Sequence, residues 1–413
     1  MMTGLEIKEA AAHTDWESVK SLFNLTPDYI HLGAAQFIAS HPKPVREAIE
    51  RYRRALDADP VYFVLDHENQ YSQSVRIAAA RYLEMEHPDH IALTDSTTMG
   101  LGLVYTGLMM KPGQEILTTE HDHYSHQEAI RLACERAGSQ HRQISLFKDL
   151  KTATEDEMVD ALIREVRPTT RAVGLTWVHS STGLKLPIKK FADALARLNN
   201  EREHIDKVLL VIDGVHGFGI ETESFAEMGC DFFIAGCHKW LYGPRGTGII
   251  AGTAEAWKHV IPVIPTFTYV MDAVTFGMPR PKEFDGRQMT PGGFHSLEHR
   301  WALKDAFDFI HSLGKQRIKD RVYELTRQVK EGLAELPHVK IHTPMDATLS
   351  AGIVAFEVDG YTTEQVVSRL KRKNIISTSS PYLKSYARFT PGLYISPDDV
   401  KRGLEAVASL GKG

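Results

Sequence analysis

Between Ile91 and Thr253 one unit recurs: a short run of consecutive apolar residues, then a stretch with helical spacing. The runs are IALTDS, EILTTE, QISLF, RAVGLTWV, VLLVIDG, DFFIAG and GTGIIAGT. The intervening stretches include a helix from about Thr98, one after Tyr124, one opened by the capping pair Thr154 and Glu157, and one over Lys189–Arg202. Near-continuous apolar runs leave no wetted face, so these strands belong in a sheet covered on both sides. Strands that alternate with helices make that sheet largely parallel and the fold class α/β. This has a chemical consequence, because reactive groups in open sheets of this kind gather beyond the carboxyl ends of the strands.

The rest of the chain reads differently. A helix is expected over Pro44–Leu56, where Val45, Ile49, Tyr52 and Leu56 share a face. Beyond Met278 come two long helical segments (Ser296–Leu313 and Gln316–Leu336), then short strands and helices such as GIVAFEV, TTEQVVSRLKRKN and SPDDVKRGLEAV. A chain of 413 residues exceeds the usual span of one core. We therefore expect an N-terminal arm or helix over 1–30, a large domain over 31–280 and a smaller α+β domain over 281–413. The Pro- and Gly-rich stretch Pro262–Gly293 would join the last two.

Composition narrows the partners. A net charge of −5 with no long basic run excludes the broad positive footprint of a nucleic-acid binder. No apolar run is long enough for a membrane helix, and the first residues carry no secretory pattern, so a cytoplasmic protein that does not enter a membrane is expected. The three cysteines, Cys134, Cys230 and Cys237, form neither a disulfide framework nor a metal spacing.

The densest chemistry lies in VLLVIDGVHGFGI followed by DFFIAGCHKWLYGPRGTGII, which brings Asp213, His216, His238 and Lys239 to strand ends. A lysine directly after a buried strand is partly desolvated; its pKa falls and its amine becomes nucleophilic enough to form an imine. An isolated lysine there would be unremarkable, and Asp213 alone could serve as a helix cap. Together they suit one cofactor: an aspartate keeps a pyridine nitrogen protonated, which makes the ring an electron sink.

With these motifs the sequence resembles the class V aminotransferase family of fold type I pyridoxal-phosphate enzymes. The likeness runs from HLGAAQFIASHPKPV to YARFTPGLYIS and is most specific at Asp213–His216 and Gly236–Trp240. WVHSSTGLKLPI and EHDHYSHQEA bring it nearest to the isopenicillin N epimerase-like branch. The resemblance implies a large domain with a mostly parallel seven-stranded sheet, a smaller C-terminal α+β domain, pyridoxal 5'-phosphate as cofactor, an amino-acid substrate and a homodimer.

It also implies roles. Lys239 would carry the Schiff base, Asp213 would pair with the pyridine nitrogen, His216 would sit near the phenolic oxygen, and His238 would contact the phosphate. Thr97, Thr98 and Met99, in DSTTMGLGL, would hold that phosphate at a helix start, where backbone N–H groups favour an anion. His123 would stack on the ring, with His121 as the alternative two residues away. Ser180 would lie near the phenolic oxygen, His179 would face the substrate, and Arg388 would grip its carboxylate with a planar fork. EHDHYSH has no distant partner motif to complete a metal site, so no metal is expected there. Tyr62–Asn69, Phe267–Met278 and Phe294 would shape the substrate pocket.

Two positions depart from the family pattern. Gly236 and Cys237 stand where relatives place a phosphate-binding serine, and Gly293 where many have a threonine. No cysteine lies in the late loop where a desulfurase nucleophile is expected. The leading expectation is epimerase-like carbanion chemistry at the α-carbon of an amino acid or amino-acid conjugate. An oxygen-using oxidase or oxidative decarboxylase, an aminotransferase or C–S lyase, and a non-catalytic binding protein stay open at this stage.

Overall fold

All seven apolar runs enter one sheet. The computed structural model describes residues 15–33 and 37–412, so residues 1–14 of the expected arm and Ala34–Gln36 of the HLGAAQF motif lie outside it. The strands are β1 (Ile91–Thr94), β2 (Glu115–Thr119), β3 (Gln140–Ile144), β4 (Thr170–Thr176), β5 (Leu209–Asp213), β6 (Phe232–Gly236) and β7 (Gly248–Gly252). Their spatial order is β1-β7-β6-β5-β4-β2-β3. Neighbours run parallel except around β7, which is antiparallel to both β1 and β6. Every residue of β1, β2 and β4–β7 is buried, in keeping with their apolar centres, and the polar residues Glu115 and Arg171 at the strand starts are buried with them. The edge strand β3 is polar and partly exposed.

The β1 edge is closed by side chains. Arg76 Nε donates to Ile91 O at 3.2 Å, and Thr290 Oγ1 accepts from Leu93 N at 3.0 Å, so the unpaired backbone groups of that strand are satisfied. Arg76 belongs to α2 (Tyr62–Leu83), which packs with α1 (Lys43–Ala58) and the later α5 (Leu297–Leu313). α2 carries no clear periodic signal in the sequence. Its buried face mixes Ser72 and Arg76 with Val75, Ala79 and Leu83, which breaks the apolar periodicity on which such a reading depends. Likewise, Pro262–Gly293 is more than a joining stretch: it contains helices Phe267–Phe276 and Gly286–Met289.

The helix expected from about Thr98 is α3 (Thr97–Gly107), capped by Ser96, whose Oγ accepts from Met99 N at 3.1 Å. It lies tightly on β6; a Cβ at Gly100 would fall 2.6 Å from Ile234 Cγ2. α4 (Tyr124–Ala137) follows β2, and Thr154 caps its own helix by accepting from Glu157 N at 3.2 Å. C-terminally, β8 (Val339–Ile341), β9 (Val354–Val358), β10 (Thr378–Ser379) and β11 (Ala387–Phe389) form an antiparallel sheet in the order β10-β11-β9-β8. α6 (Lys315–Ala334) packs against β8 and β9. Near the start of the described chain, Ile30–His31 pairs in parallel with Ile375–Ile376.

Candidate active site

The carboxyl ends of β1, β2, β4, β5 and β6 open into one cavity of about 150 Å³. Of the residues singled out in the sequence, Thr97, Thr98, His123, Ser180, Asp213, His216, His238 and Lys239 line it. Met99, His179 and Arg388 do not. Met99 packs against the apolar cluster beneath α3, His179 is buried behind the wall, and Arg388 reaches the wall from β11. Ser96, Ser125, Thr176 and Val215 also line the cavity, and the sequence analysis assigned them no role. Two larger surface clefts, of about 440 and 390 Å³, lie against α6 and gather no comparable set of groups.

Lys239 and His216 are in direct contact, with Nζ 3.0 Å from Nε2. Burial, reinforced by the charges of Lys239 and Arg388, pushes His216 well below the usual imidazole range, so the ring is neutral at pH 7. When the amine donates to Nε2 the imidazole proton sits on Nδ1, a buried atom without a partner among the described residues. A ligand oxygen placed there would satisfy it. Burial also lowers Lys239 to about 8, against the pull of Asp213 and with help from Arg388. Roughly a tenth of the amine is then neutral at pH 7, where an ordinary lysine offers less than roughly a thousandth.

Asp213 ends β5 with its carboxylate buried, and Oδ1 accepts from Val215 N at 3.1 Å. Burial raises its pKa, which marks a carboxylate short of countercharge. A protonated ring nitrogen would supply one.

His123 caps α4, accepting at Nδ1 from Ser125 N at 3.2 Å, with Ser125 Oγ 2.7 Å away. Burial and the charge of Lys239 lower its pKa to about 4, which leaves a neutral aromatic plane on the cavity wall. His121 points elsewhere and stacks on Phe147 at 4.5 Å. The neighbouring Asp122 is a fastening: it is buried and accepts from the Thr118 and Thr119 hydroxyls and from Thr119 N and Thr176 N. That set of bonds joins the β2 loop to β4 and fixes where His123 stands.

At the anion end, the start of α3 leaves the N–H groups of Thr97 and Thr98 without intrahelical acceptors. His238 lies beside them, lowered by burial to about 4. The departure at Gly236 has a local reason. Its N–H donates to Thr97 Oγ1 at 2.8 Å, and a Cβ would stand 3.1 Å from that oxygen and 3.2 Å from His238 Cε1. Gly293 has φ +117°, a conformation closed to a β-branched threonine.

Arg388 is buried, donating from Nη1 to Ser180 O at 2.5 Å and from Nη2 to Ser379 O at 2.6 Å. Two of its five N–H groups are thereby committed; Nε has no partner among the described residues. Tyr382, absent from the sequence analysis, joins this group through a 2.6 Å contact between its hydroxyl and Ser180 Oγ, and it meets the His123 ring edge-on at 6.0 Å. Its signal in the sequence is only proximity to Arg388.

A sheet of this order, with a low-pKa lysine facing a buried carboxylate and an N–H-rich helix start, fits pyridoxal 5'-phosphate. The fold and site define a fold type I, pyridoxal-phosphate-dependent enzyme. More particularly, the chain belongs to the class-V aminotransferase family, whose profile matches residues 38–381. It is 27% identical over 359 residues to an isopenicillin N epimerase from Streptomyces clavuligerus, covering 84% of this chain and 85% of that one. A cysteine desulfurase from Salmonella agona is 26% identical over 314 residues, covering 73% and 71%. Among solved structures, C-DES with glycine covalently linked to its PLP cofactor superimposes with a TM-score of 0.84 at 20% identity, covering 96% of this chain and 99% of that one. A cysteine desulfurase from Thermococcus onnurineus gives 0.83 at 20% identity, covering 96% and 98%. At those identities the likeness concerns the fold.

The lowered lysine predicts how the cofactor is taken up. Only the deprotonated amine attacks an aldehyde, so the rate at which cofactor-depleted protein binds pyridoxal phosphate should rise with pH, with a midpoint near about 8. Stopped-flow absorbance across pH 6–10, an interval of roughly four units, covers that transition. A rate still climbing steeply at the top of the range would mean an unperturbed amine.

Proposed function

We propose that this enzyme exchanges the α-proton of an amino acid or amino-acid conjugate, in the manner of an epimerase. The supporting observation is the pairing of the Lys239 amine with a neutral His216 at 3.0 Å, opposite the buried Asp213. When bound, pyridoxal phosphate supplies an electron sink for a carbanion at the substrate's α-carbon. In this reading Lys239 would hold the cofactor and, when its amine is free, take the α-proton at Nζ on one face. The His123 imidazole, whose Nδ1 accepts from Ser125 N and whose proton is therefore on Nε2, would return a proton on the other. Asp213 would keep the ring nitrogen protonated, and His216 would offer its unpartnered Nδ1 to the phenolic oxygen. Thr97, Thr98 and His238 would orient the phosphate, His123 would lie over the ring, Ser180 would border it, and Arg388 would take the substrate carboxylate.

A desulfurase or thiol-dependent lyase reading has less support. Cys134, Cys230 and Cys237 are all buried, and burial pushes each thiol up in pKa, away from the reactive thiolate. The same three unpaired thiols suit a reducing compartment, and we assign the protein to the cytoplasm. No helix among the described residues is long and apolar enough to cross a membrane.

A homodimer is part of the proposal. Large exposed apolar side chains concentrate at Val61, Tyr62 and Leu65, along Phe267–Met278, and at Phe294, which is 86% exposed. Such segments mark association surfaces.

Incubating amino acids in deuterated water under air and under nitrogen tests the reaction. Deuterium at the α-carbon with loss of optical purity, equal in both atmospheres, is the expected result. Oxygen consumption with release of carbon dioxide would replace this reading with oxidative decarboxylation. For Arg388→Lys, which removes the planar fork, we expect KM to rise about 10- to 100-fold with a smaller change in kcat, in keeping with the roughly 1.5–3 kcal/mol of a charged hydrogen bond. An unchanged KM would remove Arg388 from the carboxylate.

A further inference from the structure

At the rim of the sheet opposite the Lys239 cavity, three side chains aim ligand atoms at one point. His204 lies in the turn before β5, Glu255 in the short helix Ala254–Trp257 after β7, and His259 just beyond it. His204 Nε2 contacts Glu255 Oε1, His259 Nε2 stands 3.9 Å from that oxygen, and one ligand atom from each residue lies within 4.8 Å of the others. The two imidazole rings are 5.3 Å apart, centre to centre. We propose that His204, Glu255 and His259 bind a divalent transition-metal ion of the zinc class, tying the 204–206 turn to the segment that follows β7.

The donor set selects the ion. Two imidazoles and one carboxylate suit zinc, nickel or copper, whereas magnesium and calcium prefer all-oxygen sites. Three protein ligands leave a fourth position for water, available on the side where His204 is exposed. His259 is buried, while His204 and Glu255 reach it from the exposed side. Glu255 Oε2 receives Lys258 Nζ at 3.1 Å, which fixes the plane of the carboxylate and leaves Oε1 toward the histidines. Arg171, Lys207 and Lys258 face the cluster with positive charge and moderate its affinity.

Topology separates this site from the chemistry. His204 precedes the first residue of β5, and Asp213 is its last; Gly252, at the end of antiparallel β7, pairs with Phe232 at the start of β6. Five residues of strand, roughly 16 Å, therefore lie between the cluster and the cavity. The ion ties two segments together and takes no part in turnover.

The test is a titration of Zn²⁺ into chelator-treated holoenzyme by calorimetry, paired with thermal melts. One equivalent should bind and raise Tm, with turnover unchanged, while Mg²⁺ produces no shift. Because the chain has 20 histidines, assignment requires variants. His204→Ala and His259→Ala should each weaken binding about tenfold or more and cancel the Tm rise. If His259→Ala does not fold, the exposed His204→Ala decides alone. Absence of binding in the wild type, a Zn²⁺ response unaltered in His204→Ala, or an equal response to Mg²⁺ would each overturn the proposal.

Discussion

Lys239→Ala should lose activity by at least about a thousandfold while folding as well as the wild type. Lys239 provides the one amine among the cavity-lining residues, so no neighbour replaces it. The effect on stability has a definite sign. Burial lowers the lysine's pKa in the folded state, so folding is penalised at pH values where the unfolded chain holds the extra proton. That penalty is full below about pH 8 and fades as pH rises toward the ordinary lysine value. The alanine variant of cofactor-free protein should therefore gain in Tm relative to wild type at pH 6 and converge with it at high pH. Melts at both pH values, with turnover measured alongside, check the two halves together. Activity near the wild-type level would show that another group holds the cofactor.

Asp213→Asn carries the second large expected effect. The amide keeps an oxygen to accept from Val215 N, so the local structure is preserved. It has no charge to hold a ring nitrogen protonated, and loss of that preorganised charge should cost on the order of 100-fold or more in turnover. Stability moves the other way. Burial raises the aspartate's pKa, so a penalty on folding sets in as pH rises past the ordinary value of 3.8 and is complete above the folded-state value. At neutral pH the cofactor-free asparagine variant should melt higher than cofactor-free wild type, and the cofactor should raise its Tm by less. A variant both less stable and fully active would contradict this account of Asp213.

Much of this was legible in the sequence because the signals were local. Each buried strand is centred on an apolar run, as strands covered on both faces tend to be. The site residues on β5 and β6 follow from where those runs stop. What escaped depended on distant partners. α2 buries Arg76, whose function is to close the β1 edge together with Thr290, more than two hundred residues away. Asp122, grouped in the sequence with potential metal ligands, spends its carboxylate on the β2 and β4 backbone and on two threonines. Tyr382 reaches the site through Ser180, and no spacing rule links positions 202 residues apart. Gly236 and Gly293 were visible as departures, but their reasons, a close approach to Thr97 and a positive φ, exist only in three dimensions.

Borohydride reduction of the holoenzyme, followed by proteolysis and mass spectrometry, reveals whether Lys239 holds pyridoxal phosphate through its amine. One phosphopyridoxyl group per chain is expected, on the peptide that contains Lys239. A stoichiometric label on a different lysine, or none on a cofactor-saturated protein, would contradict that role.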